Sequence, residues 1–248
     1  MLDIFFQSIR ILNVSKSQIA EMILHPNLDG EHFHFLAAST IVAANRNPNL
    51  VKVLNDGISI CDSKPLSKFL DCFKTSSTNI RGADAFRETV TQSTIADLHY
   101  FIGTDDSTLN SLHANLLSIN PDFNLVGTCT TNFLDTYDAS YENVLNDLRI
   151  QKPSIVWVGL GSPKQDYLAE FISRKFPCSV VAIGAAFDFL AGRKTEAPKV
   201  MQKFGFEWLF RLGSEPGRLW KRYLIGNFQF VILCIKELMQ MVKTGARS

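Results

Sequence analysis

Short apolar runs alternate with longer stretches of helical periodicity from about residue 55 onward. Five runs predict strands, at Ile58–Cys61, His99–Gly103, Asn124–Gly127, Ile155–Leu160 and Ser179–Gly184. The stretches between them predict helices at Phe86–Ala96, Ser107–Ile119, Tyr141–Arg149 and Lys164–Lys175. This alternation predicts an α/β fold, in which helices cover both faces of a mostly parallel sheet. Ligands of such folds bind at the carboxyl ends of the strands.

The alternation stops after Gly192, and the remaining chain predicts helices at Pro198–Leu212 and Pro216–Val242, with Ser214 as the N-cap of the second. We therefore expect an α/β catalytic domain at 1–195 and a helical appendage at 196–248. On the second helix, Arg218, Lys221 and Arg222 share one face. That face is either the solvated side of an ordinary amphipathic helix, or a surface for an anionic membrane or a diphosphate.

The formal net charge of +1 hides an asymmetry between the two ends of the 248-residue chain. Residues 193–248 contain eleven Lys or Arg and four Glu, a net charge of +7, so the preceding 192 residues carry −6. A basic end on an acidic body predicts an anionic partner for that end. The longest unbroken apolar run, Phe230–Ile235, is far shorter than the roughly 20 residues that span a bilayer. We expect a soluble protein, attached at most to a membrane surface.

The turn after the Ile155–Leu160 strand is the first candidate site. Gly161 lets the backbone approach a ligand closely, Ser162 is a candidate cap of the next helix, and Pro163 suits its first position. A helix start of this kind presents free N–H groups that suit a phosphate or a uracil edge. Lys164 adds a charge and Gln165 a polar side chain for a base or a sugar. The alternative is a plain turn between strand and helix, since G-x-G alone is a weak signal.

Two further loops carry candidate polar side chains. Gly184–Gly192 follows the next strand, and its Asp188 either binds a ligand hydroxyl or caps a helix within a tightly packed loop. Asp62 follows the Ile58–Cys61 strand, where a carboxylate is either a general base or an ordinary turn residue.

Metal chemistry is not expected. The five histidines form no metal constellation, the cysteines are odd in number with no C-x-x-C pair, and no D-x-D triplet occurs. A D-x-D triplet commonly holds a metal ion against a diphosphate. Without it, a diphosphate leaving group would have its negative charge stabilised by helix N-termini and by Arg or Lys side chains.

The chain resembles the WecG/TagA/CpsF family of bacterial glycosyltransferases, also called glycosyltransferase family 26. The resemblance covers roughly residues 35 to 230 and rests on blocks that follow the family's order and spacing. These blocks are Val158-Gly159-Leu160-Gly161-Ser162-Pro163-Lys164-Gln165, Gly184 to Gly192, Ala197-Pro198, Glu207-Trp208-Leu209-Phe210-Arg211-Leu212, Glu215-Pro216 and Arg218 to Leu224. Weaker similarity covers 44–48, Gly82-Ala83-Asp84, Phe101-Ile102-Gly103 and Leu125-Val126-Gly127-Thr128.

The resemblance implies a Rossmann-like domain with a helical C-terminal appendage that completes the active site and meets the membrane. It implies an inverting, metal-independent transfer of a hexose or N-acetylhexosamine from a UDP-sugar to a polyprenyl-diphosphate-linked sugar. The enzyme would act peripherally on the cytoplasmic face of the cytoplasmic membrane, in polysaccharide biosynthesis for the cell envelope. UDP-sugar is then the donor substrate, with no other cofactor. No nucleic-acid partner is expected, and association of identical chains stays open.

Site roles follow from the same resemblance. The general base falls on Asp62, within Cys61-Asp62-Ser63, where the family has P-D-G. The acceptor diphosphate would be bound by Arg211, Arg218 and Arg222. The nucleotide-sugar would be bound by Gly103, Gly127, Gly159, Gly161, Pro163, Lys164, Gln165, Gly184 and Asp188.

The N-terminal half departs from the family pattern. Phe35-Leu36-Ala37 stands in place of T-x-N, Asn79 in place of an Arg, and Cys129-Thr130-Thr131-Asn132-Phe133 in place of H-H-G-Y-F. Gln-Glu becomes Gln165-Asp166. These departures keep a second hypothesis open, a catalytically weak relative that binds a nucleotide-sugar or a partner enzyme. A nucleotide-dependent oxidoreductase is a third, although the glycine fingerprint of such enzymes is missing. No residue decides which sugar is transferred.

Overall fold

The computed structural model describes residues 2–26, 29–71, 77–130 and 139–243, except for the side chains of residues 2, 139–141, 218, 222 and 241. The strands are β1 (Leu2–Phe6), β2 (Ile9–Asn13), β3 (Glu31–Leu36), β4 (Ile58–Cys61), β5 (Leu98–Gly103), β6 (Asn124–Cys129), β7 (Ile155–Gly159) and β8 (Ser179–Ala182). The helices before residue 195 are α1 (Lys16–Leu24), α2 (Ala38–Ala44), α3 (Pro48–Asp56), α4 (Lys64–Asp71), α5 (Gly82–Gln92), α6 (Asp106–Ile119), α7 (Ala139–Gln151), α8 (Lys164–Ser173) and α9 (Ala186–Leu190). The later helices are α10 (Lys199–Phe204), α11 (Glu207–Ser214), α12 (Pro216–Trp220) and α13 (Gly226–Lys243), with a π-helical turn at Lys221–Ile225.

The chain forms two compact units, each assembled from separate segments. The first unit contains Met1–Val14, Phe35–Arg81 and Glu196–Ser248, and the second contains Ser15–His34 and Gly82–Thr195. The α/β class, the mostly parallel strands and the helical C-terminal segment are confirmed. The expected functional division at residue 195 stays a prediction.

The second unit contains four of the five predicted strands, β5 to β8, together with β3, which was not predicted; the fifth predicted strand, β4, lies in the first unit. The strand order in the second unit is β3-β8-β7-β5-β6, and all four neighbouring pairs are parallel. Strands β7 and β8 are buried along almost their whole length, which explains their unbroken apolar sequences. The predicted Ser179–Gly184 strand ends earlier, at Ala182, because Gly184 turns the chain with φ +56°. Helix α5 begins at Gly82, four residues before the predicted start at Phe86.

The first unit contains a β-hairpin and the C-terminal helices α10 to α13. Strand β1 runs antiparallel to β2, and β2 runs parallel to β4. The N–H of Asp62, directly after β4, donates to the carbonyl of Leu36 at the end of β3 over 3.2 Å. Helix α13 contacts α2, and its Phe230 ring lies 5.9 Å from the ring of Phe6. Contacts between buried apolar side chains thus hold helix α13 against strand β1.

Both predicted C-terminal helices are present with changed boundaries. The predicted Pro198–Leu212 helix is broken into α10 and α11, because Gly205 adopts a left-handed φ of +83°. Ser214 is not an N-cap, since it is the last residue of α11 and donates to the Phe210 carbonyl over 3.0 Å; Glu215 precedes α12 instead. From α12 to α13 the backbone stays helical. Among the described residues, no helix is both long and apolar enough to cross a bilayer.

Candidate functional site

The turn Gly159–Gln165 lies in the second unit, at the carboxyl end of β7. Gly103 ends the neighbouring strand β5 and pairs with Gly159. A Cβ atom at Gly103 would lie 2.8 Å from the Gly159 carbonyl oxygen, and one at Gly159 would lie 2.6 Å from the Phe187 ring. Close packing of two strand ends and one aromatic ring therefore requires both glycines.

Gly127 on β6 has a similar structural requirement. A Cβ atom there would lie 2.5 Å from the ring of Tyr100, which is buried and whose hydroxyl donates to Asp147. The structure thus gives a packing reason for Gly127. A role in nucleotide binding stays a prediction.

Gly161 and Gly184 have a positive φ, +79° and +56°, as Gly103 also does at +143°. Within the described part of the chain, no heavy atom outside the neighbouring residues lies within 4 Å of a Cβ built at Gly161, so this part of the turn has space beside it. The buried Gln165 side chain accepts the Gly161 N–H over 2.9 Å, and its Oε1 would lie 3.4 Å from a Cβ at Gly184. Gln165 therefore fixes the turn from inside and contacts the loop that follows β8.

The start of α8 differs from the sequence expectation in two ways. Pro163 is the N-cap, and Ser162 makes no capping bond; its buried Oγ has no hydrogen-bond partner among the described residues. Two of the first-turn N–H groups are also bonded within the turn. Those of Gln165 and Asp166 donate to the carbonyls of Gly161 and Pro163, each over 3.1 Å. The exposed Lys164, the first residue of α8, is thus the main cationic group of this turn.

Asp188 lies on α9 and is tied to the loop that follows. Its carboxylate forms a 2.7 Å ion pair with Lys194, and its carbonyl accepts the N–H groups of Arg193 and Lys194. Ala185 is the N-cap of α9, so the alternative role of Asp188 as a helix cap is wrong. Its role toward a sugar hydroxyl stays a prediction.

The first unit contains a cavity of about 120 Å³ that brings together Asp62 and Arg211. Asp62 is half-buried, in the segment between β4 and α4. The cavity is lined by Ala37, Ala38, Ser39, Asp62, Ser63, Lys64, Pro65, Asn79, Arg81, Gln202, Gly205, Glu207, Trp208, Arg211, Tyr223 and Asn227. Two of the predicted functional residues, one for the chemistry and one for the acceptor, thus share one cavity.

Charged side chains form a continuous network along this cavity. The buried Arg81 guanidinium bonds Glu196 over 2.7 Å, Gln202 over 2.9 Å and Glu207 over 3.1 Å. The other carboxylate oxygen of Glu207 accepts from Arg211 over 2.6 Å. Glu207 therefore bridges two arginines and orients Arg211. Sequence reasoning missed Glu207, although its i, i+4 spacing to Arg211 on a helix was a readable signal.

Arg211 stays cationic at the cavity. Burial acts to lower the pKa of its guanidinium, but the nearby Glu207, Tyr223 and Asp62 outweigh burial, so the net pKa lies above its ordinary value. The cavity thus contains a positive charge within electrostatic reach of the Asp62 carboxylate. The side chains of Arg218 and Arg222 lie outside the described residues, so their predicted diphosphate contacts stay predictions.

The positions that depart from the family pattern include two buried apolar residues and two residues that line the cavity. Phe35 and Leu36 are buried, and Ala37 presents only a methyl group to the cavity. Asn79 also lines the cavity and donates to the Cys61 carbonyl over 3.4 Å. Burial raises the pKa of the Cys61 thiol to about 12, so it stays a neutral thiol. Residues 131–133 of the altered H-H-G-Y-F segment lie outside the described residues.

Comparison with known proteins agrees with the resemblance. The profile of the family described as "Glycosyl transferase WecG/TagA/CpsF family" matches residues 4–244. One relative, from Bacillus spizizenii, is named N-acetylglucosaminyldiphosphoundecaprenol N-acetyl-beta-D-mannosaminyltransferase. It is 32% identical over 93 residues, which are 37% of this chain and 36% of the relative. The match thus spans about a third of the relative's length. Since the family profile matches nearly the whole sequence, the chain belongs to the WecG/TagA/CpsF family of glycosyl transferases.

Proposed function

We propose that this protein is an inverting glycosyltransferase that moves a hexose or N-acetylhexosamine from a UDP-sugar to a polyprenyl-diphosphate-linked sugar. The observation that carries the proposal is the cavity in which the half-buried Asp62 and the cationic Arg211 meet. Family membership supports the transferase class, and the name of the Bacillus spizizenii relative supports a lipid-diphosphate acceptor. The product would enter a surface polysaccharide of the cell envelope.

Asp62 has the chemistry that an inverting transfer requires. Its carboxylate takes the proton of an acceptor hydroxyl while that oxygen attacks the anomeric carbon of the donor sugar. The bond between the anomeric carbon and the UDP oxygen breaks, and UDP leaves with the electron pair. A single displacement of this kind inverts the anomeric configuration.

Arg211 suits the diphosphate of the acceptor. A guanidinium presents donors in a planar fork that matches phosphate oxygens. One guanidinium nitrogen of Arg211 lies 2.6 Å from a carboxylate oxygen of Glu207, and this ion pair limits the orientations of the guanidinium. Preorganised charge of this kind stabilises an anion without reorganisation at the moment of binding.

The Gly159–Gln165 turn of the second unit suits the nucleotide part of the donor. The positive φ of Gly161 and the space beside it allow a ligand to approach the backbone, and Lys164 supplies a charge for phosphate. Gln165 fixes the turn through the Gly161 N–H. We propose that the other residues around this nucleotide site are Gly103, Gly127, Gly159, Pro163, Gly184 and Asp188. We propose no metal ion for the reaction.

Attachment to an anionic membrane surface would bring the enzyme to its lipid acceptor. Exposed apolar side chains run along α12, the π-helical turn and α13, including Trp220 (45% exposed), Phe228 (68%) and Val242 (81%). Lys221, Lys236 and Lys243 are exposed on the same segment. Apolar and basic side chains together are typical of helices that bind anionic membrane surfaces. We propose that this segment binds the inner face of the cytoplasmic membrane.

A catalytically weak family member is the second candidate function. It is favoured by Ala37, which offers the cavity a methyl group where the family pattern has a polar side chain, and by Asn79 in place of an Arg. In that case the protein would bind a nucleotide-sugar or a partner enzyme without efficient turnover.

One assay separates the two candidates. The purified protein is incubated with a panel of UDP-sugars and a polyprenyl-diphosphate-linked N-acetylglucosamine acceptor, with and without a chelator, and the lipid products are identified by mass. We expect one donor to add one sugar to the acceptor with unchanged yield in chelator. UDP-sugar binding with no product from any donor would favour the weak relative. Loss of product in chelator would contradict metal independence.

A further inference from the structure

A fully buried histidine and aspartate pair lies beneath the candidate nucleotide turn in the second unit. Nδ1 of His34, on β3, lies 2.8 Å from Oδ1 of Asp166, in the first turn of α8. His34 is 0% exposed and Asp166 is 2% exposed. In the Nδ1–H tautomer of His34, this nitrogen donates the bond to the carboxyl oxygen of Asp166. The bond fastens the start of α8 to the sheet.

A second buried bond joins the same strand to the other end of the same helix. Nδ1 of His32 lies 3.0 Å from the hydroxyl oxygen of Ser173, the last residue of α8. Asp166 and Ser173 are separated along the helix by about 10 Å, at 1.5 Å per residue. Two similar bonds therefore hold α8 on β3, and the bond of Asp166 is the one beside the turn.

Asp166 directly follows Gln165 in the chain. The Gln165 side chain accepts the Gly161 N–H, and the Asp166 N–H donates to the Pro163 carbonyl over 3.1 Å. The position of Asp166 thus sets where Gln165 and the turn residues lie. A movement of the α8 start would be passed to the turn through these two bonds.

Three buried polar atoms around this point have no hydrogen-bond partner among the described residues. They are Nε2 of His34, Oδ2 of Asp166 and Oγ of Ser162. An apolar pair at positions 34 and 166 would avoid the desolvation cost of two of these atoms. The pair occurs despite this cost, which indicates a role beyond filling the core.

We propose that the His34–Asp166 pair is a positioning pair for nucleotide binding, which holds Gln165 and the Gly161 turn in the geometry that binds UDP. The inference rests on the proposed function, because it takes the turn to be the UDP site. Neither side chain is exposed to a ligand, so the pair acts through the turn. Loss of the pair should therefore lower UDP affinity as well as stability, whereas loss of a similar buried bond away from the turn should lower stability alone.

The two ends of α8 provide a matched comparison. Asp166→Ala and Ser173→Ala each remove the helix side of one buried histidine bond. We expect Asp166→Ala to raise the Kd for UDP about tenfold, the size of one buried hydrogen bond, and Ser173→Ala to change it less than about twofold. Titration calorimetry with UDP gives the Kd, and urea unfolding of the same samples gives the stability. Equal losses of UDP affinity in both variants would overturn the proposal.

Conservative variants separate positioning from damage to the fold. Asp166→Asn keeps an acceptor oxygen for His34 and should hold the Kd within about threefold of the wild type. A tenfold loss in Asp166→Asn would count against positioning by this hydrogen bond. If Asp166→Ala does not fold, His34→Asn and His34→Gln replace it. The Asn amide lies near the place of Nδ1 and should bind UDP more tightly than Gln; the reverse order would overturn the proposal.

The wild-type titration tests the proposed function by itself. If the wild type does not bind UDP, the assignment of the turn to UDP fails, whatever the variants do. If the wild type binds UDP and Asp166→Ala binds it equally well, the proposed function stands and the positioning pair is wrong.

Discussion

At the scale of single residues, the proposed chemistry depends on the carboxylate of Asp62. Asp62→Asn keeps the size of the side chain but removes the group that takes the acceptor proton. We expect the transfer rate to fall about 100- to 10,000-fold, the usual contribution of a general base. The Kd for UDP should not change, because Asp62 belongs to the cavity of the first unit. The rate is measured with saturating donor and acceptor, and the Kd by calorimetry.

Asp56→Asn is the matched control for this variant. Asp56 is an exposed carboxylate at the end of α3 in the same unit, and it does not line the cavity. Its substitution removes the same charge and should leave the rate unchanged. Turnover of Asp62→Asn at the wild-type rate would remove Asp62 as the base.

Gly159 is a second residue whose role in packing a substitution can test. A Cβ atom there would lie 2.6 Å from the buried ring of Phe187, so Gly159→Ala overpacks the core of the second unit. We expect the free energy of unfolding to fall by about 1–3 kcal/mol. Gly213→Ala makes the same chemical change on α11, where no described atom beyond the helix's own backbone and the neighbouring residues lies within 4 Å of the added Cβ, and should raise it by about 0.5–1 kcal/mol. Urea unfolding compares the two, and equal effects would contradict the packing role.

At the scale of elements, the hairpin between β1 and β2 has a turn of unusual sequence. Its two turn residues, Gln7 and Ser8, both have positive φ, +49° and +63°, which normally favours Asn and Gly. Ser8→Gly relieves left-handed strain of about 1–2 kcal/mol and adds a smaller entropy cost, so we expect a net gain of about 0.5–1 kcal/mol in unfolding free energy. Ser111→Gly, within α6, should instead lower it by about 0.5 kcal/mol. A loss of stability in Ser8→Gly would contradict the strain at this turn.

The same hairpin explains which elements a sequence pattern can predict. Strands β7 and β8 were predicted because burial on both faces gives continuous apolar runs, whereas β3 was missed because His32 and His34 interrupt its apolar residues. The β1–β2 hairpin was missed because its Gln7-Ser8 turn lacks the Asn-Gly signature. The break between α10 and α11 was not predicted, because the sequence shows a glycine at position 205 but not the left-handed φ with which it ends α10.

The candidate sites follow a similar division between local and long-range signals. Asp62 and the Gly159–Gln165 turn were found because each directly follows a predicted strand. The Arg81, Glu196 and Glu207 network was not found, since Arg81 is more than a hundred residues from both glutamates and meets them only through folding. The His34–Asp166 pair was missed for the same reason, because its members are 132 positions apart in the sequence.

At the scale of the whole molecule, charge and exposed apolar surface both concentrate toward the C-terminal end. Residues 193–248 carry a net charge of +7, and exposed apolar side chains follow one another from Trp220 to Val242. Either feature alone has an ordinary explanation. Scattered exposed apolar residues are normal on soluble proteins, and a basic helix face is often only solvated. Their coincidence on one segment is the reason to expect a membrane surface as the partner.

Binding to vesicles tests this expectation through charge. Lys221→Ala, Lys236→Ala and Lys243→Ala together remove three positive charges from the segment. At about 1 kcal/mol for each Lys near an anionic surface, the partition coefficient onto phosphatidylserine-containing vesicles should fall about 100-fold. Co-sedimentation measures this partition, and binding to vesicles without anionic lipid should change little. The matched control removes the exposed Lys16, Lys52 and Lys175, which lie outside the segment. If both triple variants lost binding equally, overall charge rather than the C-terminal segment would hold the protein on the membrane, because only the position of the three charges differs between them.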